Sequence, residues 1–427
     1  MRSQRTFPVP HMDDLYLRLL NWCEQERHYV FFNRNNYRHP GFAQQWLVAC
    51  GAIEQVGGAS DGLAALYAAH RRCPDWWFGY LGYDLRKVLE PSSHRRRQPD
   101  ARVAFDDLFF FRPRHVFQLH EQKLTIESID DAAHVWKQIW AIQPRPLKAA
   151  LPITMQCRTS LQDYREAFDL IRQHLAAGDI YEINYCIEFV AQSTGLDPLW
   201  MMQCLNQHAP APFSCLLRHA HRYVVGASPE RFIRKKGTTL IAQPMKGTAD
   251  PRQNASEATL ALDPKEQSEN VMIVDLMRND LTRCAIPGTV QVKELFGVYA
   301  FPGVLQMIST IEAQLRNDIP FTDVLRYAFP PGSMTGAPKV KAMQLIEQYE
   351  PISRGLYAGI TGYITPQADF DFNVVIRSFL YDAENGNLSL HTGSGITWYA
   401  NATAEFEECF LKARSVTSAL PGFQLMR

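Results

Sequence analysis

The feature that most restricts the fold of this chain is its rhythm after Leu151. Long amphipathic helical stretches there alternate with pairs of short strand-like runs. Alternation of that kind, with hairpin signals between the runs, points to a mixed α and β architecture. The clearest break in composition lies at Gln143-Pro144-Arg145-Pro146-Leu147 and Leu151-Pro152, after a helix predicted at about 130–141 that carries Trp136 and Trp140. Upstream of it, residues 105–111 and 116–119 read as strands. An N-terminal region, 1–150, therefore precedes a core, 151–420.

Composition excludes several classes of function. The 427 residues carry 44 basic and 44 acidic side chains, so the charge that drives nucleic-acid binding is missing. The run Arg95-Arg96-Arg97, beside Pro91, Ser92, Ser93 and Pro99, reads as a solvated loop. Nine cysteines, none in C-x-x-C spacing, imply reduced thiols and neither zinc nor a disulfide framework. No apolar stretch reaches membrane-spanning or signal-peptide length, so the expectation is a cytoplasmic protein without a membrane partner.

Within the core, residues 224–234 and 238–244 read as strands flanking a turn at Lys235-Lys236-Gly237. Asp263-Pro264-Lys265-Glu266 opens a helix, with Asp263 as N-cap, Pro264 at the first position and Glu266 where a capping box needs it. Residues 404–416 form a last helix with Phe406, Cys409 and Phe410 on one face.

Four groups of residues can carry chemistry. Glu266 and Glu269, and likewise Glu405 and Glu408, stand three apart on helices, which puts each pair on one face. Two such faces together make an oxygen-rich site suited to Mg²⁺. The same residues also fit plain helix chemistry, because Glu266 can complete a capping box and Glu408 can pair with Lys412. Lys246, between Pro244 and Gly247-Thr248, is either a surface lysine at a strand end or a nucleophile, which requires a deprotonated amine. Glu230, on the preceding strand of that hairpin, makes with it either an acid/base pair or a cross-strand salt bridge. Two glycine-rich stretches, Pro330-Pro331-Gly332-Ser333-Met334-Thr335-Gly336-Ala337-Pro338-Lys339 and His391-Thr392-Gly393-Ser394-Gly395, offer free backbone N–H groups to an anion, or are simply turns.

In order along the chain stand Ser-Pro-Glu-Arg-Phe at 228–232, Pro-Met-Lys-Gly-Thr at 244–248, Glu-Asn-Val-Met-Ile-Val-Asp-Leu-Met-Arg-Asn-Asp at 269–280, Thr-Gly-Ala-Pro-Lys at 335–339 and Gly-Ser-Gly-Ile at 393–396. This series resembles the chorismate-utilising enzymes over about 160–415, and residues 78–85 resemble their N-terminal segment. The resemblance implies one large α/β domain, two antiparallel β-sheets wrapped by helices, with the active site between the sheets. It implies that Glu269 and Glu408 ligate Mg²⁺ and that Glu266 and Glu405 support them. Arg377 and Tyr357 match contacts to the enolpyruvyl carboxylate, with Gly393 and Gly395 donating N–H groups. Lys412, Gly247, Thr248 and Thr335 match the rest of the lining.

Within the family, lysine at position 246 marks the branch that forms 4-amino-4-deoxychorismate, on the way to para-aminobenzoate and folate. Anthranilate-forming relatives carry a small residue there. Relatives that add water carry a lysine base in the strand matching Tyr181-Glu182-Ile183-Asn184, and here that position is Glu182. The implied chemistry is attack by Lys246 at C2, loss of the C4 hydroxyl with a proton from Glu230, then addition of ammonia at C4. No Gly-x-Cys-x-Gly glutaminase motif is present, so ammonia is expected from a separate glutamine amidotransferase subunit. Two positions depart from the family pattern. Gln306 replaces a histidine, which fits a reaction that keeps its pyruvate, and Glu188 replaces an arginine.

Overall fold

The computed structural model describes residues 2–35, 37, 44–58, 61–93, 101–149, 152–249, 256–301 and 304–427. The Arg95-Arg96-Arg97 run lies outside them. The mixed α/β class expected from the sequence is present: the described strands join one hydrogen-bonded network with helices packed around it. Their pairing is antiparallel except where Phe423–Met426 runs parallel to Ile153–Cys157. Strands from the N-terminal region are built into this network. His28–Asn33 pairs with both Trp46–Gly57 and Phe213–His219, and Trp77–Leu81 pairs with Ile360–Ile364. Both faces of His28–Asn33 and Trp77–Leu81 are buried, which is why their sequences are almost continuously apolar.

The two strands expected at 105–111 and 116–119 are one strand, Leu108–His120. Pro113 lies inside it, opposite Ala52. The partner strand shifts register between Ala52 and Glu54, so a bulge absorbs the hydrogen bond that the proline cannot make. Proline acts the other way at 229 and 244. The run expected at 224–234 divides into Arg222–Ser228 and Arg231–Lys236, and Pro244 separates Thr239–Gln243 from Met245–Ala249. The hairpin turn falls one residue later than expected, because Lys236 pairs with Thr239 and Gly237 takes the left-handed conformation.

The helices follow their caps. Asp131 accepts from the backbone N–H groups of Ala133 and His134 and starts Ala132–Ala141. Asp263 accepts from those of Lys265 and Glu266 and starts Pro264–Thr282. The Glu266 side chain turns toward Gly247, with Oε2 3.1 Å from where a Cβ on that glycine would sit. Asn401 caps Ala402–Thr417, whose Phe406, Cys409 and Phe410 are buried as expected.

One contact fixes the glycine-rich 330–339 segment against the strand Glu182–Gln192. Gly336 and Ala337 pair with Ile183 and Glu182. Gly336 has φ +146°, and a Cβ there would lie 2.1 Å from the Glu182 carbonyl oxygen and 2.9 Å from the Ile183 Cα. Both neighbours are backbone in a paired strand and cannot step aside. Gly336→Ala is therefore expected to destabilise the fold by roughly 3 kcal/mol, from dihedral strain and overpacking together. Urea unfolding measures it, and an unchanged midpoint would contradict the close approach.

Candidate active site

Lys246 lies within the short strand Met245–Ala249, not at a strand end. That strand pairs with Val304–Gln314 through Met245–Ile308 and Thr248–Gln306, with a register shift between the two pairs. The Lys246 side chain is only 12% exposed and its Nζ forms an ion pair with Glu182, itself 1% exposed. Glu269 Oε2 lies 3.8 Å from the same nitrogen. A Cβ on Gly395 would approach Nζ to 2.6 Å, so the glycine leaves the space in which the amine sits. Burial by itself favours the neutral amine. The carboxylates of Glu182 and Glu269 override it and hold the ammonium above its usual pKa.

The two acidic helix faces meet. Burial and Glu269 push the Glu266 carboxyl up to about 7, and burial with Lys246 and Glu182 nearby leaves Glu269 raised. Burial and Glu408 raise Glu405 as well. Glu408 goes the other way: burial opposes its charge, but Lys412 at 2.7 Å holds its pKa low. The helix pair Glu408–Lys412 and the facing carboxylates thus coexist. Three carboxyls raised by burial and by neighbouring carboxylates, with Glu408 held low by Lys412, form an oxygen-only donor set whose chemistry suits a hard divalent cation such as Mg²⁺. Among the described residues, the group that already stands at ligand spacing is a different one. His221, Asp382 and Glu384 have their ligand atoms within 4.8 Å of one another, with Glu384 exposed.

Glu230 occupies the break between Arg222–Ser228 and Arg231–Lys236 instead of a hairpin strand. It is 5% exposed and accepts a hydrogen bond of 2.6 Å from the Ser333 hydroxyl. Burial pushes its carboxyl up to about 7. Ser333, Lys246 and the Met245 N–H each pull it part of the way back. The arrangement brings a carboxyl raised toward neutrality, a lysine ammonium and a cluster of glutamates into one buried region.

A family model for chorismate binding enzymes matches residues 29–418. The chain belongs to the chorismate-binding enzymes. Aminodeoxychorismate synthase component 1 of Klebsiella aerogenes is 36% identical over 353 residues, which cover 80% of this chain and 76% of that protein. The same-named protein of Escherichia coli is 35% identical over 351 residues, with the same coverage. Among solved structures, anthranilate synthase component I from Streptococcus pneumoniae superposes with a TM-score of 0.77 at 22% identity, over 89% of this chain and 93% of that one. That likeness bears on the fold.

In this chorismate-binding enzyme the remaining site residues have distinct settings. Arg377 donates to the Ser415 hydroxyl at 2.9 Å; burial lowers its pKa and Tyr357 and Glu408 partly restore it. Tyr357 is buried and stacks on His391, with ring centroids 4.9 Å apart. Lys412 Nζ donates to the Gly393 carbonyl at 2.9 Å. Gly247 has φ +93°, beside Glu266. The Thr335 hydroxyl turns back onto its own loop and donates to the Gly332 carbonyl at 3.1 Å. For Thr248 only the backbone is described, paired with Gln306.

Sequence reasoning missed three participants. Glu182 was read as a lost base, yet it is the partner of Lys246. Its signal was a lone carboxylate beside the apolar run Ile183, Tyr185, Cys186 and Ile187. Ser333, in the stretch expected either to offer N–H groups to an anion or to form a plain turn, hydrogen-bonds Glu230 through its hydroxyl. His391 lies behind Tyr357. The structure also accounts for the departure at position 188. Glu188 accepts from Ser389 at 2.7 Å and from Arg158 at 2.9 Å, so its buried charge is matched.

Proposed function

We propose that this enzyme aminates chorismate at C4, forming 4-amino-4-deoxychorismate through a covalent bond to Lys246. The observation that carries this reading is the buried Lys246, which interacts electrostatically with both the acidic cluster and Glu230. The names of the relatives at 35–36% identity support the same reaction. Mg²⁺, held by Glu269 and Glu408 with Glu266 and Glu405 behind them, would supply a Lewis acid for the ring carboxylate. Arg377 and Tyr357, with the N–H groups of Gly393 and Gly395, receive the enolpyruvyl carboxylate, while Lys412, Gly247, Thr248 and Thr335 complete the lining.

Lys246 begins as an ammonium and gives one proton to solvent water before its nitrogen bonds to C2. The C4–O bond breaks as that bond forms, and Glu230 delivers a proton so that water leaves. Ammonia then bonds to C4 and the C2–N bond breaks, returning Lys246. Dividing one displacement into two lowers each barrier. We read the ammonia source as a separate glutamine amidotransferase subunit, in keeping with relatives named component 1. We also read 1–150 and 151–420 as one unit, which the pairing of His28–Asn33 with Phe213–His219 supports. Nine unpaired cysteines fit a reducing, cytoplasmic setting.

The test is product identification after incubation with chorismate, Mg²⁺ and an ammonium salt. The expected product is the 4-amino compound with its enolpyruvyl group retained, and chelation of Mg²⁺ should abolish its formation. Gln306, buried where relatives carry a histidine, fits the absence of a base for pyruvate loss. Anthranilate or pyruvate as the main product would overturn the reading.

A further inference from the structure

A lysine side chain is long and flexible, and a mobile amine seldom stands where a reaction needs it. The strand that carries Lys246 does little to fix it, being short and out of register between Met245 and Thr248. The nitrogen is held from another part of the fold. Glu182 opens the strand Glu182–Gln192, and its backbone is paired on both sides, with Thr397 in one neighbour and Ala337 in the other. One carboxylate oxygen meets Lys246 Nζ; the other, Oε2, is buried without a hydrogen-bond partner among the described residues. A buried carboxylate left half satisfied costs stability, so the fold alone gives no reason for it.

The third wall of this arrangement is Gly395. A Cβ there would lie 2.6 Å from the lysine nitrogen and 3.0 Å from Glu182 Oε1. The amine and the carboxylate meet in the volume vacated by a missing side chain. Glu269, the other carboxylate near Nζ, is assigned to the cation in the proposed function, which leaves Glu182 as the anchor on the nitrogen.

We propose that Glu182 is the positioning residue for Lys246: from its doubly paired strand it fixes the lysine nitrogen over Gly395, where the ring of chorismate is attacked. The proposal rests on the covalent role of Lys246. It turns position 182 from a missing base into a specificity element, its carboxylate spent on aiming an amine.

Glu182→Ala, Glu182→Gln and Lys246→Ala are compared in two measurements. The first is amination kinetics with chorismate and ammonium. Misplacing a reacting group costs about 100-fold in rate, so Glu182→Ala should lose about that factor in kcat while KM for chorismate stays near wild type. Glu182→Gln, whose amide oxygen still accepts from the lysine nitrogen, should recover a large part of the loss. A residue that served only the fold would change melting temperature without this split or this rescue. The second measurement is acetylation of Lys246 by an N-hydroxysuccinimide ester without chorismate, read by peptide mass spectrometry. Labelling should be faster in Glu182→Ala, where the nitrogen is no longer held in its niche.

If Glu182→Ala keeps its kcat while Lys246→Ala loses activity, the positioning role is wrong and the covalent reading survives. If Lys246→Ala keeps full activity, the covalent reading fails, and the proposal that Glu182 positions a nucleophile fails with it. Labelling that is the same in wild type and Glu182→Ala overturns the anchoring in either case.

Discussion

Lys246→Ala is expected to abolish the protein–chorismate adduct and to lower amination at low ammonia by on the order of ten-thousandfold, the scale seen when one member of a covalent catalytic unit is removed. The expectation follows from the setting of the side chain. It is buried, ion-paired with Glu182, and 3.8 Å from Glu269. A lysine kept only for charge balance would be replaceable with little effect on rate. Incubation of wild type with chorismate and Mg²⁺, without ammonia, should trap a mass increase on the peptide that contains Lys246. Amination is then followed over a range of ammonium concentrations. High ammonia should rescue the variant in part, because ammonia can displace the C4 hydroxyl directly, without the lysine adduct. Wild-type rates in Lys246→Ala at low ammonia would end the covalent reading. Calorimetry adds a check on the same variant: chorismate binding that depends on Mg²⁺ should persist, since the acidic cluster remains.

The electrostatics of the site explain why these charges sit together. Glu266, Glu269 and Glu405 are all raised by burial and by neighbouring carboxylates, Glu408 among them. Lys246, Lys265 and Lys412 offset part of that repulsion, and a divalent cation would offset more. The clustered charges cost the fold stability, as expected of a site kept for the proposed function.

Much of this was legible in the sequence because local rules decided it. Asp263 caps its helix and Pro264 opens it as their types require, and the 3.6-residue period put Glu266 with Glu269 and Glu405 with Glu408. What was not legible depended on contacts across long stretches of chain. The strand Leu108–His120 continues through Pro113 because its partner bulges, which the sequence of the strand itself does not record. Glu182 and Lys246 are 64 residues apart, and Ser333 and Glu230 are 103 apart. No periodicity reports such pairs. Glu230 was expected on a hairpin strand, and the break at Pro229 placed it between strands, where it is buried enough to shift its pKa.

That shift carries the second large prediction, for Glu230→Gln. A general acid acts in its protonated form. Burial raises the Glu230 carboxyl to about 7, so the acid is present below that pH and is lost above it. The kcat/KM of the wild type, measured at constant free ammonia, should therefore fall on the alkaline side with a limb near pH 7. Glu230→Gln cannot deliver the proton. Its rate should drop by about 10²–10⁴-fold, and the limb near pH 7 should vanish. Ser333→Ala separates this from a general pH effect. The Ser333 hydroxyl donates to Glu230 and so favours the charged form. Removing it should move the limb to higher pH while the low-pH rate stays close to wild type. A limb that remains in Glu230→Gln, or one that Ser333→Ala moves to lower pH, would assign the proton to another group. A carboxylate paired mainly with Lys246 would behave in the opposite way, with its pKa depressed and no titration near neutrality. The two roles left open by the sequence, salt-bridge partner and proton donor, thus differ in the sign of one pKa shift, and the burial of Glu230 gives the sign that suits an acid.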